Sequence, residues 1–167
     1  MKLLQVNKGE VLQEAGVFNV HAYQVVQGLL RSYFIDKMGK EHTFLFAPEG
    51  WVTGDLHAAG FDRPSQLVIE ALEASEVHVF PMKNHLRIDS SLDHSAELQL
   101  MLRRAGTMQQ RVLMLMSTSA LERYEYFLET YPALAERISQ KLIASYLGIT
   151  PQALSKLRRA RVAPGRS

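Results

Sequence analysis

The sequence predicts an α+β protein in which an antiparallel, jelly-roll-like β-roll precedes a helical half. Short runs rich in β-branched and aromatic residues recur over residues 1–82, separated by turn signals such as Gln27-Gly28 and Pro48-Glu49-Gly50. Beyond Met82 the apolar residues recur at helical spacing instead. A run of strands followed by a run of helices is typical of an α+β chain.

Five strands are expected from the apolar runs of the first half. These runs are residues 22–26, 31–35, 42–46, 66–71 and 76–80. Short strands at this spacing favour a small antiparallel barrel or jelly roll, which we expect to occupy residues 1–88.

A long helix is predicted over about residues 91–117, inside a segment (89–117) that we interpret as a dimerisation helix. A mostly apolar stripe on it advances by steps of four and three, a spacing typical of two long helices packed together. The members of this stripe are Leu98, Leu102, Ala105, Gln109, Val112 and Met116. A second stripe, Met101, Met108 and Leu115, is suited to covering the β-roll of the same chain. The alternative is that the first stripe itself covers the β-roll of its own chain.

Two further helices are predicted before the C-terminal motif. Ser119-Ala120-Leu121-Glu122 forms a capping box that opens a helix ending near Thr130. Tyr131-Pro132 stops it, because a residue before proline disfavours the helical region. A short helix over residues 133–138 follows, and residues 118–167 form the last predicted domain.

Residues 140–159 have the residue types that a helix-turn-helix requires. Ala144 is small where the two helices must cross, and Gly148 can adopt the positive φ of a tight turn. Thr150 is suited to cap the second helix, and Pro151 fits its first turn. The predicted shared core consists of Ile143, Leu147, Ile149, Leu154 and Leu157.

The charge distribution indicates that this motif meets a polyanion. Residues 137–167 contain seven Lys or Arg and no acidic residue, a charge of +7, whereas the whole chain carries only +2 and residues 1–136 therefore −5. We expect double-stranded DNA as the partner, with Gln152, Ser155 and Lys156 at base edges. The full set of predicted DNA-contacting residues is Lys141, Thr150, Gln152, Ser155, Lys156, Arg158 and Arg159. An ordinary helical hairpin with a basic surface is the alternative.

The order of these parts resembles the catabolite-activator (Crp/Fnr) family of transcription regulators. The resemblance rests on Lys8-Gly9-Glu10-Val11-Leu12 on the first strand, Gln27-Gly28-Leu29-Leu30-Arg31, Gly39-Lys40-Glu41, Gly54-Asp55-Leu56, Leu121-Glu122-Arg123-Tyr124 and residues 140–150. It implies a cyclic-nucleotide-binding-like roll, a dimerisation helix and a helix-turn-helix. It also implies a cytoplasmic homodimer that binds DNA and a small effector, with RNA polymerase as a further candidate partner.

The sequence departs from the family pattern in three places. The chain starts almost on its first strand, without the family's preceding helical segment. Only Val162 to Ser167 follow the recognition helix, so we expect the family's β-hairpin wing to be reduced or absent. In the family cassette a Glu holds the ribose and an Arg neutralises the cyclic phosphate. Here Asp55 replaces that Glu, Ser65 stands at the Arg position, and Arg63 comes two residues early.

The missing Arg argues against cyclic AMP, because an uncompensated phosphate in a sheltered pocket is costly. The effector therefore remains unknown. Its predicted pocket consists of Gly54, Asp55, Leu56, Arg63, Ser65 and Gln66.

Two other classes of protein are alternatives. A cupin-like small-molecule or metal-binding protein would need grouped ligands, but the six histidines are scattered and no His-x-His occurs. The scattered histidines lead us to expect no metal site. Ser117-Thr118-Ser119 lacks the glycines of a nucleophile elbow, so we expect no catalytic residue and a protein that is not an enzyme. The other alternative is a ligand-binding module whose helix-turn-helix contacts another protein. The basic face of the helix-turn-helix argues against this alternative.

The composition supports a cytoplasmic location. The chain has no cysteine, which excludes disulfides and suits a reducing compartment. It has no apolar run of about 20 residues and no secretion signal, so we expect no membrane partner.

Overall fold

Two four-stranded antiparallel sheets form the first half of the chain in the computed structural model, which describes residues 2–18, 20–82, 95–116 and 119–162. The chain divides into two compact units, Met1–Ile88 and Asp89–Ser167. The strands of the first unit are β1 (Lys2–Val6), β2 (Val11–Gln13), β3 (His21–Gln27), β4 (Leu30–Ile35), β5 (Glu41–Ala47), β6 (Val52–Thr53), β7 (Val68–Ala71) and β8 (Ser75–Pro81).

The sheets have the strand orders β1-β8-β3-β6 and β2-β7-β4-β5. Apolar side chains from both sheets meet in one core. Val25 and Val77 come from the first sheet, and Leu30 and Ile69 from the second. This arrangement confirms the predicted antiparallel roll, because alternate residues of each strand face the opposite sheet.

The start of the roll differs from the prediction. Lys8 and Gly9 lie in a turn, where Gly9 has φ +81°, instead of on the first strand. The strand Lys2–Val6 precedes this turn, and Val11–Gln13 is the second strand. Glu10 explains the turn, because its carboxylate accepts a 2.9 Å hydrogen bond from the Asn7 amide and so closes the chain on itself.

Two short elements of the roll were not predicted. They are β6 and a six-residue helix, α1 (Leu56–Phe61). Neither is long enough to show a periodic apolar pattern. The fourth predicted strand begins at Val68 instead of residue 66, because the Leu67 amide donates to Ser65 Oγ in a local turn.

The helical unit follows the predicted order. Its helices are α2 (Ser95–Met116), α3 (Ala120–Thr130), α4 (Leu134–Arg137), α5 (Gln140–Leu147) and α6 (Pro151–Val162). The capping box of α3 is confirmed, since Ser119 Oγ accepts from the Glu122 amide and the Glu122 side chain accepts from the Ser119 amide. The predicted ends of the long helix, residues 91–94 and 117, lie outside the described residues, as do residues 163–167, to which the expectation of a reduced wing applies.

An aromatic cluster joins α3 to α5. The ring centroid of Tyr146 lies 5.7 Å from that of Phe127 and 5.6 Å from that of Tyr131, both at steep angles. Such edge-to-face pairs add to the free energy of simple burial. In the described part of the chain, no helix combines the length and apolar character needed to cross a bilayer.

Candidate nucleic-acid interface

The turn between α5 and α6 has the geometry that the sequence predicts. Gly148 lies at φ +67°, and its amide donates to the carbonyls of Ala144 and Ser145. The Ala153 amide donates to Thr150 Oγ1 at 3.2 Å, so Thr150 caps α6. Ser139 caps α5 in the same way, a role that we did not predict although its residue type favours it. Each helix of the motif therefore has a side-chain cap that defines its first turn, Ser139 for α5 and Thr150 for α6.

One side of α6 packs against the core of the motif. Ile143, Leu147 and Leu154 are fully buried, while Ile149 and Leu157 are half-buried. The side of α6 opposite Leu154 has four polar or basic residues within about 100° of arc around the helix: Gln152, Ser155, Lys156 and Arg159. This set forms the outer face of α6, in which Ser155 is half-buried and the other three residues are exposed.

Positive charge is concentrated on α6. Lys156, Arg158, Arg159 and Arg161 lie on this one helix, which has no acidic residue. Arg158 is half-buried at the side of the outer face, and Lys141 is exposed on the first turn of α5. A helix with this charge attracts the phosphates of a nucleic acid independently of base sequence.

Arg159 lies along α6 in this structure. Its Nε donates to the Ser155 carbonyl and its Nη2 to Ser155 Oγ, each at 3.4 Å. Hydrogen bonds of this length on an exposed surface contribute little stability. The guanidinium can therefore exchange them for contacts to a ligand at small cost.

The predicted effector residues form a buried polar network within the roll. Asp55 caps α1, and its Oδ1 accepts from the Ala58 amide at 2.9 Å. Its Oδ2 accepts from Ser65 Oγ and from the Gln66 amide, both at 3.0 Å. Gln13, which the sequence did not single out, donates to Ser65 Oγ at 2.9 Å. The two halves of the predicted pocket are thus bonded directly to each other.

The other predicted pocket residues lie at the edge of this network. Arg63 and Leu56 are exposed, and the Arg63 amide donates to the Ala58 carbonyl. Gly54 is closely packed, because a Cβ there would lie 2.9 Å from the His21 carbonyl oxygen. The fold therefore brings Asp55, Ser65 and Gln66 together, whereas the Arg63 side chain lies at the surface.

The long helix α2 presents two different faces. Leu102, Val112 and Met116 of the predicted stripe are 62%, 54% and 75% exposed. Ala105 and Gln109 of the same stripe are also exposed, and the side chain of Leu98 lies outside the described residues. Arg111 and Met114 of the same helix are buried, at 6% and 5% exposure.

The described histidines are not grouped. Among the described residues, no cluster of three His, Asp or Glu side chains is placed to hold a metal ion. His42 Nε2 pairs with Asp36 at 2.7 Å, and its ring stacks on Phe34. The hydrogen bond from His42 lowers the pKa of Asp36. This histidine thus stabilises a β-hairpin.

Solved structures of transcription regulators share this fold. No family model matches the sequence, and no curated protein does. FixK2 from Bradyrhizobium japonicum is 23% identical, with a TM-score of 0.73, over 95% of this chain and 83% of its own. A CRP/FNR-family transcriptional regulator from Thermus thermophilus is 19% identical, with a TM-score of 0.69, over 99% of this chain and 89% of its own.

A third similar structure is CLP, the c-di-GMP-responsive global regulator of Xanthomonas campestris. It is 12% identical to this chain, with a TM-score of 0.70, over 99% of this chain and 90% of its own. The predicted resemblance is therefore confirmed at the level of fold. Over nearly its whole length, this chain has the fold of the Crp/Fnr-type transcriptional regulators.

Proposed function

We propose that this protein is a DNA-binding transcription regulator of the Crp/Fnr type that acts as a homodimer. The observation that carries the proposal is the outer face of α6. Its polar and basic side chains point away from Leu154, and Thr150 and Gly148 fix where the helix begins. A rigid, basic helix presented in this way fits the major groove of DNA.

The residues of the motif divide into two roles. Gln152, Ser155 and Lys156 lie near the N-terminal end of α6, the part of a recognition helix that contacts base edges. Gln is suited to adenine and Lys to guanine. Arg158, Arg159 and Lys141 extend the basic surface on either side and are assigned to phosphates, while Thr150 holds the start of the helix.

The exposed stripe of α2 supports a homodimer. Three large apolar side chains, Leu102, Val112 and Met116, are more than half exposed on one face of this helix. The same stripe of a second copy is a matching apolar surface. Full burial of an exposed side chain of this size contributes about 1.5–3 kcal/mol before the entropic cost of association, and these partly exposed side chains contribute a fraction of that. Two copies of α6 in one dimer would read a near-palindrome.

The polar network of the roll argues against cyclic AMP as an effector. Asp55 places a negative charge where Ser65 and Gln66 offer their hydrogen-bond donors, and Arg63 lies at the surface. A phosphate at this point would meet a carboxylate without the Arg63 cation beside it. A less charged metabolite, or DNA binding without an effector, fits the network better. RNA polymerase is a further proposed partner, and the cytoplasm the proposed location.

The cupin-like alternative has less support, because the described histidines are not grouped around a common point. A metal assay on the purified protein tests it, since a stoichiometric bound metal would favour that alternative. The protein-interaction alternative is tested by the experiment below.

Selection of bound duplexes from a random library tests the proposed function. We expect enrichment of a near-palindrome whose half-site centres lie about one helical turn, or ~10 base pairs, apart. The matched control replaces both Gln152 and Lys156 with Ala, which removes two exposed side chains and leaves the core intact. Weak binding without any enriched sequence, equal in both proteins, would contradict the proposal.

A further inference from the structure

Two arginines from different helices meet at the C-terminal end of α5. Arg111 of α2 donates from Nη2 to the Tyr146 carbonyl at 3.0 Å. Arg123 of α3 donates from Nη1 to the Leu147 carbonyl at 3.3 Å. The last carbonyls of a helix lack intrahelical partners and carry partial negative charge. The two guanidinium groups therefore stabilise the end of α5 immediately before the turn that leads into α6.

Arg111 is the more firmly held of the two. It is 6% exposed, and its Cζ lies 3.6 Å from the centroid of the Tyr146 ring. Burial raises the pKa of the Tyr146 hydroxyl, so this ring stays neutral beneath the cation. A planar guanidinium can stack on a ring and donate to a carbonyl at once, which an ammonium group cannot do with the same geometry.

The position of Arg111 on α2 connects this contact with the proposed dimer. At 100° per residue, Arg111 lies about 140° and Met114 about 160° around the helix from the centre of the stripe that contains Leu102, Val112 and Met116. Arg111 contacts Tyr146 of the helix-turn-helix of the same chain, whereas the side chains of the stripe are exposed. One side of α2 is thus proposed to hold the partner, while the opposite side holds the DNA-reading unit.

We propose that Arg111 is a positioning residue that fixes α6 relative to the dimerisation helix and so sets the distance between the two recognition helices. This inference rests on the proposed function. Without the contact between Arg111 and Tyr146, each helix-turn-helix keeps its own core but can move as a unit relative to α2. A single half-site is then bound as before, whereas a pair of half-sites loses the benefit of a fixed spacing.

The distance between the two copies of α6 can be measured without DNA. The chain has no cysteine, so Ala160→Cys, at an exposed position of α6, takes one spin label per protomer. We expect one narrow interspin distance in the otherwise unchanged protein and a clearly broader distribution when Arg111→Met is added. Met keeps much of the buried volume and removes the charge and the donors. A label at Gln99→Cys, exposed on α2, is the control and should not change.

The same variants are then compared on DNA. For the original protein we expect at least a tenfold loss of affinity when two base pairs are added between selected half-sites. The Arg111→Met protein should bind a single half-site within about twofold of the original but show less than a threefold spacing preference. Arg111→Lys, which keeps the charge, should fall between the two, and Gln110→Ala, an exposed neighbour, should behave as the original.

Each outcome decides the inference. An unchanged distance distribution together with an unchanged spacing preference in Arg111→Met would overturn it, as would an equal loss on one half-site and on two. If Arg111→Met does not fold, Arg111→Lys carries the decision, and a lysine variant identical to the original protein in both measurements would overturn it. A narrow distance that broadens in the variant, in a protein that selects no DNA sequence, would contradict the proposed function and leave the mechanical role of Arg111 supported.

Discussion

Ser65 Oγ donates a 3.0 Å hydrogen bond to Asp55 Oδ2 inside the roll, and the two residues are only 3% and 4% exposed. The bond ties the start of α1 to the segment that leads into β7. The Gln66 amide donates to the same oxygen and the Ala58 amide to the other, so the carboxylate has three donors from its own chain. A buried carboxylate is tolerated only when it is bonded in this way.

Asp55→Asn should destabilise the roll. The substitution replaces one carboxylate oxygen with an NH2 group. That group would lie against the backbone N–H of either Gln66 or Ala58, so two hydrogen-bond donors would face each other. Leaving buried donors without an acceptor costs about 1–3 kcal/mol. Urea unfolding of the full chain measures the effect, and Glu14→Gln, an exposed acid-to-amide change on the same roll, is the control. Equal midpoints for all three proteins would show that the network contributes no stability.

Cyclic AMP and cyclic GMP should bind weakly. The donors of Ser65 and Gln66 are used by Asp55, and the Arg63 side chain lies at the surface instead of in the site. Losing a charge-assisted contact in a sheltered site lowers affinity by roughly 10²-fold or more. Calorimetric titration decides this: sub-micromolar binding that disappears in Arg63→Ala would mean that Arg63 enters the site.

Replacing both Leu102 and Val112 with Glu should give a monomer. Each substitution places a charge on an apolar stripe that is exposed in the single chain, so folding should be little affected while association is lost. Light scattering at micromolar concentration measures the mass. Gln110→Glu, at an exposed position about 120° around the helix from the centre of the stripe, is the control and should remain dimeric. An unsubstituted protein that is already monomeric would refute the dimer.

Lys156→Ala and Arg159→Ala should affect DNA binding in different ways. Lys156 is assigned to a base edge, so its loss should cost about 1–3 kcal/mol at the selected site and relax the preference at one position. Arg159 is assigned to a phosphate, so its loss should weaken all sequences alike and flatten the dependence on salt. Affinities on selected and random duplexes at several salt concentrations separate the two. Equal losses on both duplexes for both variants would contradict these roles.

The sequence by itself determined the helix-turn-helix and most of the strands. Ser119, Thr150 and Gly148 act on backbone groups within four residues of themselves, so their roles follow from local spacing. The outer face of α6 follows from the helical period and the buried Leu154. Elements of two and six residues, β6 and α1, are too short to produce such a pattern.

Only the tertiary structure decided which polar groups meet. Ser65 lies 10 residues from Asp55, Gln13 lies 52 residues from Ser65, and Arg111 lies 35 residues from Tyr146. An arginine on a long helix is ordinarily expected at the surface. Arg111 is buried because α5 supplies a carbonyl and an aromatic face at one point, and Asp55 because three donors converge on it. Burial of a charge depends on partners that are distant along the chain, and those partners come together only when the sheets and helices pack.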